Sequence, residues 1–241
     1  MNGLLGGVEW ILDGSHWSGP DGIWLRLLQH VELSVASLVA AALIAIPIGL
    51  AVGHTRRGQF VAVQAANLGR SIPSLAILSL VFVLVVNVAP AFAFGFVPTF
   101  VALTLLGIPT ILVNTYIGVQ QVDSDTVEAA RGMGMSGRQV LLELEVPLAA
   151  PLIMTGVRLA AVTIVATATL SALIAGGTLG RYIIDGYAQQ DIPKVVGGAI
   201  LVAVLAILTE LLFTALARAT APRVSTQARY QFFPGGGPKG L

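Results

Sequence analysis

The residue types best placed to make a specific contact gather in one stretch, Glu128-Ala129-Ala130-Arg131-Gly132-Met133-Gly134-Met135, which continues to Pro147. It is the longest segment of regular charge in the chain. Glu128 offers a charge, Ala129 and Ala130 allow a surface to approach closely, and Gly134 permits a sharp turn. The chain has no cysteine, which excludes disulfides and thiolate metal sites, and its three histidines are scattered. No Gly-x4-Gly-Lys-Ser/Thr loop is present, so ATP is not held by a P-loop in this chain.

Two short helices must position these residues. Asp125 suits an N-cap with Glu128 three residues on, Gly132 and Gly134 end that helix, and Ser136-Gly-Arg-Gln139 has the form of a capping box starting a second. Pro147 ends that pattern or opens the next helix. On either side lie apolar runs too long for a soluble core. With 56% hydrophobic and only 10% charged residues, the composition is that of an integral membrane protein, and unbroken runs point to helices rather than barrel strands.

About five spans follow: 33–53, a second led by a moderately apolar helix over 59–70 and running through 75–88, 98–116, 148–175 and 195–217. Gly49-x-x-x-Gly53 gives the first span a face for close helix packing. Pro73 is read as a bend, and 176–193 as a loop. Residues 1–30 hold all three tryptophans and read as an interfacial segment. They lack a basic region and are interrupted by Glu9 and Asp13, which argues against a cleaved signal peptide. Residues 31–221 form the all-α membrane bundle, and 222–241, with Pro234-Gly-Gly-Gly-Pro238, read as a disordered tail.

The spacing Glu128-Ala129-Ala130, three residues, Gly134, nine residues, Leu144-Glu-Val-Pro147 resembles the EAA loop of ABC importer permeases. In particular, His30-Val-Glu-Leu-Ser34, Ile46-Pro-Ile-Gly49, Arg70-Ser-Ile-Pro-Ser-Leu-Ala76 and Gly176-Gly-Thr-Leu-Gly-Arg-Tyr-Ile-Ile-Asp-Gly186 resemble the quaternary-amine osmoprotectant permeases for glycine betaine, choline and carnitine. The resemblance implies a coupling loop over 122–146 whose Glu128, Ala129, Ala130, Arg131, Gly132, Gly134 and Met135 meet a cytoplasmic ATPase. It also implies ATP and Mg on that ATPase, with no cofactor on this chain. A second permease subunit, identical or paralogous, and an external binding protein complete the set, with lipid around it and no nucleic acid. Methionine permeases share the Arg-Ser-Ile-Pro and glycine-rich stretches, so methionine or another small amphiphile is an alternative substrate. An ion-coupled secondary transporter is a remoter reading that gives no reason for the loop spacing.

With the loop cytoplasmic, nine Lys and Arg fall inside (Arg56, Arg57, Arg70, Arg131, Arg138, Arg218, Arg223, Arg229 and Lys239) against three outside (Arg26, Arg181 and Lys194). That puts the N-terminus outside and the C-terminus in the cytoplasm. Thr163, Thr167 and Ser171 recur every four residues and would share one helix face, lining a wet path or bonding to other helices. Ser71, Pro73 and Ser74 mark a gate or a plain proline kink. Arg158 and Glu210 sit roughly 12–17 Å in from the same side, and are expected to meet as a buried ion pair.

Overall fold

The computed structural model describes residues 2–220. The tail read as disordered, 222–241, lies outside the described residues. Among the described residues every regular element is helical. A short helix α1 (Asn2–Leu12) precedes the long α2 (Ile23–Thr55), then α3 (Gln59–Ser71), α4 (Ser74–Val88) and α5 (Phe96–Gln120). Two small helices, α6 (Ser124–Gly132) and α7 (Gly137–Gln139), lead through a π-helical stretch (Val140–Glu145) into α8 (Val146–Thr167). A 3-10 stretch (Ala168–Ile174), α9 (Gly180–Gln189) and α10 (Ile192–Thr220) complete the bundle.

Among the described residues, four helices are long and apolar enough to cross a membrane: Ile23–Thr55, Phe96–Gln120, Gly137–Ile174 and Ile192–Arg218. The remaining expected span, α4, has 15 residues and reaches ~22 Å, short of a ~30 Å hydrocarbon core. The core sits where α2, α5 and α8 meet, with Ala41, Ala45, Ile111, Leu112 and Ala160 packed together. Small residues set how closely these helices approach. A Cβ on Gly49 would stand 2.7 Å from Thr115 Cβ, and one on Gly53 would stand 2.6 Å from Val119 Cβ. The expected glycine face of the first span is therefore the seat of α5.

Three boundaries depart from the sequence reading. The first span begins at Ile23, not near Leu33, because Arg26 is paired with Asp21 and Gln29 and so does not end the helix. Pro73 does not bend a continuous helix. Ile72 is extended (ψ 126°), as steric conflict with a following proline requires, and Pro73 then supplies the carbonyl that receives the Ala76 and Ile77 amides. The stretch read as a loop, 176–193, contains α9. Its i,i+4 pair Arg181–Asp185 (2.9 Å) and its buried Tyr182 and Gly186 give it a helical face against α10.

The N-terminal segment is seated on these last helices. Trp10 stacks on His16 at 4.3 Å and meets Tyr182 edge-on at 5.1 Å, while Trp17 meets Trp24 at 5.3 Å. The Trp17 indole donates to the Ile11 carbonyl, and the Tyr182 hydroxyl to that of Asp21. The aromatic groups thus tie α1, the start of α2 and α9 into one cluster.

Candidate functional site: the loop between α5 and α8

Helix α6 is capped by Asp123, not by Asp125. The Asp123 carboxylate accepts from the Thr126 amide (2.8 Å) and hydroxyl (3.0 Å), which holds it below the usual carboxylate range. Asp125 then falls in the first turn, where its charge favours the helix N-terminus. The two-residue shift also frees Glu128 from any capping role, and its side chain is exposed.

The helix ends in a doubly bonded cap. The Gly134 amide donates to the Arg131 carbonyl (2.9 Å) and the Met135 amide to that of Ala130 (3.2 Å). Gly134 takes φ +89°, a conformation that costs glycine little. Gly132, by contrast, is the last helical residue and has no left-handed conformation to supply. Ser136 and Gln139 form the expected capping box, with the Ser136 amide donating to Gln139 Oε1 at 2.9 Å.

The loop residues divide into two faces. Glu128, Ala129, Arg131, Gly132 and Gly134 are exposed, and Met135 is half-buried. Ala130 is only 4% exposed: its small side chain makes room inside this chain's own fold, not for a partner. Met133, which sequence reasoning passed over, is 79% exposed. An apolar side chain between two glycines at a helix end was the available signal.

Pro147 has no amide hydrogen to close an α-helical turn, and its ring crowds the carbonyl four residues back. The chain answers with a wider turn. The Val146 amide reaches five residues back to the Leu141 carbonyl within the π stretch Val140–Glu145. This wide turn carries Glu145 inward, to 7% side-chain exposure, where its Oε2 lies 2.6 Å from His54 Nδ1 at the end of α2. Sequence reasoning missed both residues, although a carboxylate inside an apolar run before a proline was visible.

The hydroxyl stripe is not continuous. Thr163 is exposed and bonds back to the Leu159 carbonyl. Beyond Thr167 the helix tightens to 3-10, so four residues rotate a side chain by about 120° in place of about 40°. Ser171 therefore leaves the stripe and is buried against Gly176, whose amide bonds to its carbonyl. Thr167 instead shares a small hollow with Ser74 and Thr99. Ser71 and Pro73 lie outside that hollow, exposed, with the Ser71 hydroxyl donating to the Asn67 carbonyl.

On the other side of α8, Arg158 Nη1 lies 3.4 Å from Glu210 Oε1 and donates to Thr214 Oγ1 at 3.2 Å. The two charges meet, but they are not buried: their side chains are 29% and 44% exposed. The pair sits at the margin between α8 and α10, with Arg158 Nε itself buried and without a hydrogen-bond partner.

The family model for the inner membrane component of binding-protein-dependent transport systems matches residues 41–226. The glycine betaine/carnitine/choline transport system permease protein OpuCB of Bacillus subtilis is 32% identical over 81% of this chain and 87% of its own length. The choline transport system permease protein OpuBB of the same organism is 32% identical over 82% of this chain and 88% of its own. Among solved structures, an inward-facing form of the MetNI methionine ABC transporter aligns with a TM-score of 0.74. It covers 85% of this chain and all of that one at 20% identity, and so speaks for the fold alone. Multi-pass architecture, a loop helix held between two long spans and these matches lead to one assignment: the chain belongs to the family of inner membrane components of binding-protein-dependent transport systems.

Proposed function

We propose that the chain is the membrane permease subunit of an ATP-driven importer that moves a quaternary-amine osmoprotectant, such as glycine betaine or choline, inward by alternating access. The observation that carries the reading is the outward face of α6. Glu128, Ala129 and Met133 stand exposed on a rigidly capped helix between two spans, offering a charge, a flat step and an apolar knob to a partner. That partner is a cytoplasmic ATPase subunit, which holds the ATP and Mg, while this chain catalyses nothing itself. An external binding protein delivers the substrate, and a second permease subunit completes the path. The excess of Lys and Arg on the loop side supports a cytoplasmic C-terminus and an outer N-terminus.

The choline and glycine betaine/carnitine/choline systems to which the 32%-identical relatives belong support the substrate class. Glycine betaine is zwitterionic, so the path requires no filter of strong net charge. Within the path, the hollow shared by Ser74, Thr99 and Thr167 is the place we assign to a constriction.

The test is uptake of labelled glycine betaine in cells lacking their own osmoprotectant importers, supplied with this chain and its co-encoded partners. Uptake that disappears with Glu128→Arg, while the variant still reaches the membrane, supports both substrate and loop role. Competition by methionine and no betaine uptake would keep the importer and discard the substrate. Uptake indifferent to the substitution would discard the loop role.

A further inference from the structure

The pair His54–Glu145 joins elements far apart in the chain, and the docking face does not use it. His54 lies in the last turn of α2, and Glu145 is the last residue of the π stretch that leads into α8. Their 2.6 Å contact is largely shielded, at 20% and 7% side-chain exposure. With the carboxylate accepting, Nδ1 carries the proton. The other ring nitrogen faces α7, since a Cβ on Gly137 would stand 3.6 Å from His54 Nε2. The imidazole therefore sits between the capped start of α7 and the root of α8.

These contacts close a ring. α2 is locked on α5 at Gly49–Thr115 and Gly53–Val119, and α5 runs through the Asp123 cap into α6. The α6 cap leads to α7 and the π stretch, and Glu145 returns to α2 through His54. A displacement of α6 thus reaches the first span by two routes, and at the Thr55 end of α2 the second runs through His54–Glu145, with the α2–α8 packing of Ala41, Ala45 and Ala160 further along.

Resting on the permease reading above, we propose that His54 and Glu145 are positioning residues for transport: a strut that makes the first span move with the docking loop. Loss of the strut leaves the loop able to meet the ATPase but lets α2 lag behind.

The test uses the whole complex in liposomes, with labelled glycine betaine uptake and ATP hydrolysis measured in the same vesicles. His54→Gln and Glu145→Gln each lower substrate moved per ATP about tenfold, and the double variant lowers it no further. Uptake and hydrolysis falling in proportion, or an unchanged ratio, would overturn the proposal. A second measurement does not depend on the variants assembling. The chain has no cysteine, so spin labels can be placed at the exposed Arg57 and Glu143. The strut keeps their separation within about 4 Å between nucleotide-free and ATP-trapped complexes, and a larger change overturns it. Absence of ATP-dependent uptake by the unmodified complex would instead sink the permease reading.

Discussion

Arg158 on α8 and Glu210 on α10 meet at 3.4 Å, with Thr214 accepting from the guanidinium and lying 3.4 Å from the same carboxylate oxygen. Three polar groups share these contacts at the margin of two spans, where lipid offers no partner, although Arg158 Nε is buried without one. Removing one charge strands the other. Arg158→Leu or Glu210→Leu alone is expected to lower the melting temperature of the purified protein, at a cost of ~2–3 kcal/mol. Arg158→Leu with Glu210→Leu is expected to recover most of that loss, and thermal unfolding in detergent reads the difference.

The tight seat of α2 on α5 gives a second expectation. Gly53→Ala drives a methyl group into Val119 and is expected to cost ~1–3 kcal/mol by overpacking. Val119→Ala should relieve only part of it when the two are combined, since the Cβ 2.6 Å away stays and only the Cγ1 at 2.9 Å is lost. Failure of the rescue in a thermal melt would mean that the backbone, not the side chain, sets the spacing.

Met133 tests the docking face separately from the fold. Met133→Asp changes a side chain that is 79% exposed, so the melting temperature should stay within about 2 °C. Co-purification of the ATPase subunit should fall by about tenfold or more, as loss of an apolar anchor predicts. Ala130→Leu should do the reverse and unsettle the loop itself, since Ala130 is packed inside.

Asp123 supplies a pH dependence. Its carboxyl is held low chiefly by the Thr126 amide, then by the Thr126 hydroxyl. A carboxylate with a depressed folded pKa stabilises the folded form above its ordinary value near pH 4, and that contribution is lost as pH falls through the lower folded value. Protection of the Thr126 amide against hydrogen exchange should therefore persist at pH 5 and weaken below about pH 4. Asp123→Asn should keep the protection and remove its pH dependence.

Regularly spaced features were legible in the sequence, while effects of one residue on the next turn were not. The Gly49–Gly53 face, the Ser136–Gln139 box and the spans follow from pattern alone, because burial and capping act over short, regular spacings. The stripe Thr163–Thr167–Ser171 failed because it assumed a constant helical rotation, and the change to 3-10 at Ala168 has no signature at the level of residue types. Asp123 and Asp125 offer the same side chain two positions apart, so type could not choose between them. Glu145 reaches His54 only because Pro147 widens the turn before it, and a contact across ninety-one positions cannot be read from spacing.

The unbroken α2 carries one more consequence. At 1.5 Å per residue its 33 residues form a rod of ~50 Å, packed near its middle at Ala41 and Ala45 and engaged at both ends. Ile23 is buried with Leu179 and Tyr182 at one end, and His54 holds Glu145 at the other. Such a rod acts as a lever with its fulcrum in the core. Tilting it by about 10° carries its two ends ~4 Å in opposite directions, given its length. A loosening of the aromatic cluster at one end of α2 and a shift of the loop at the other are then two readings of a single angle.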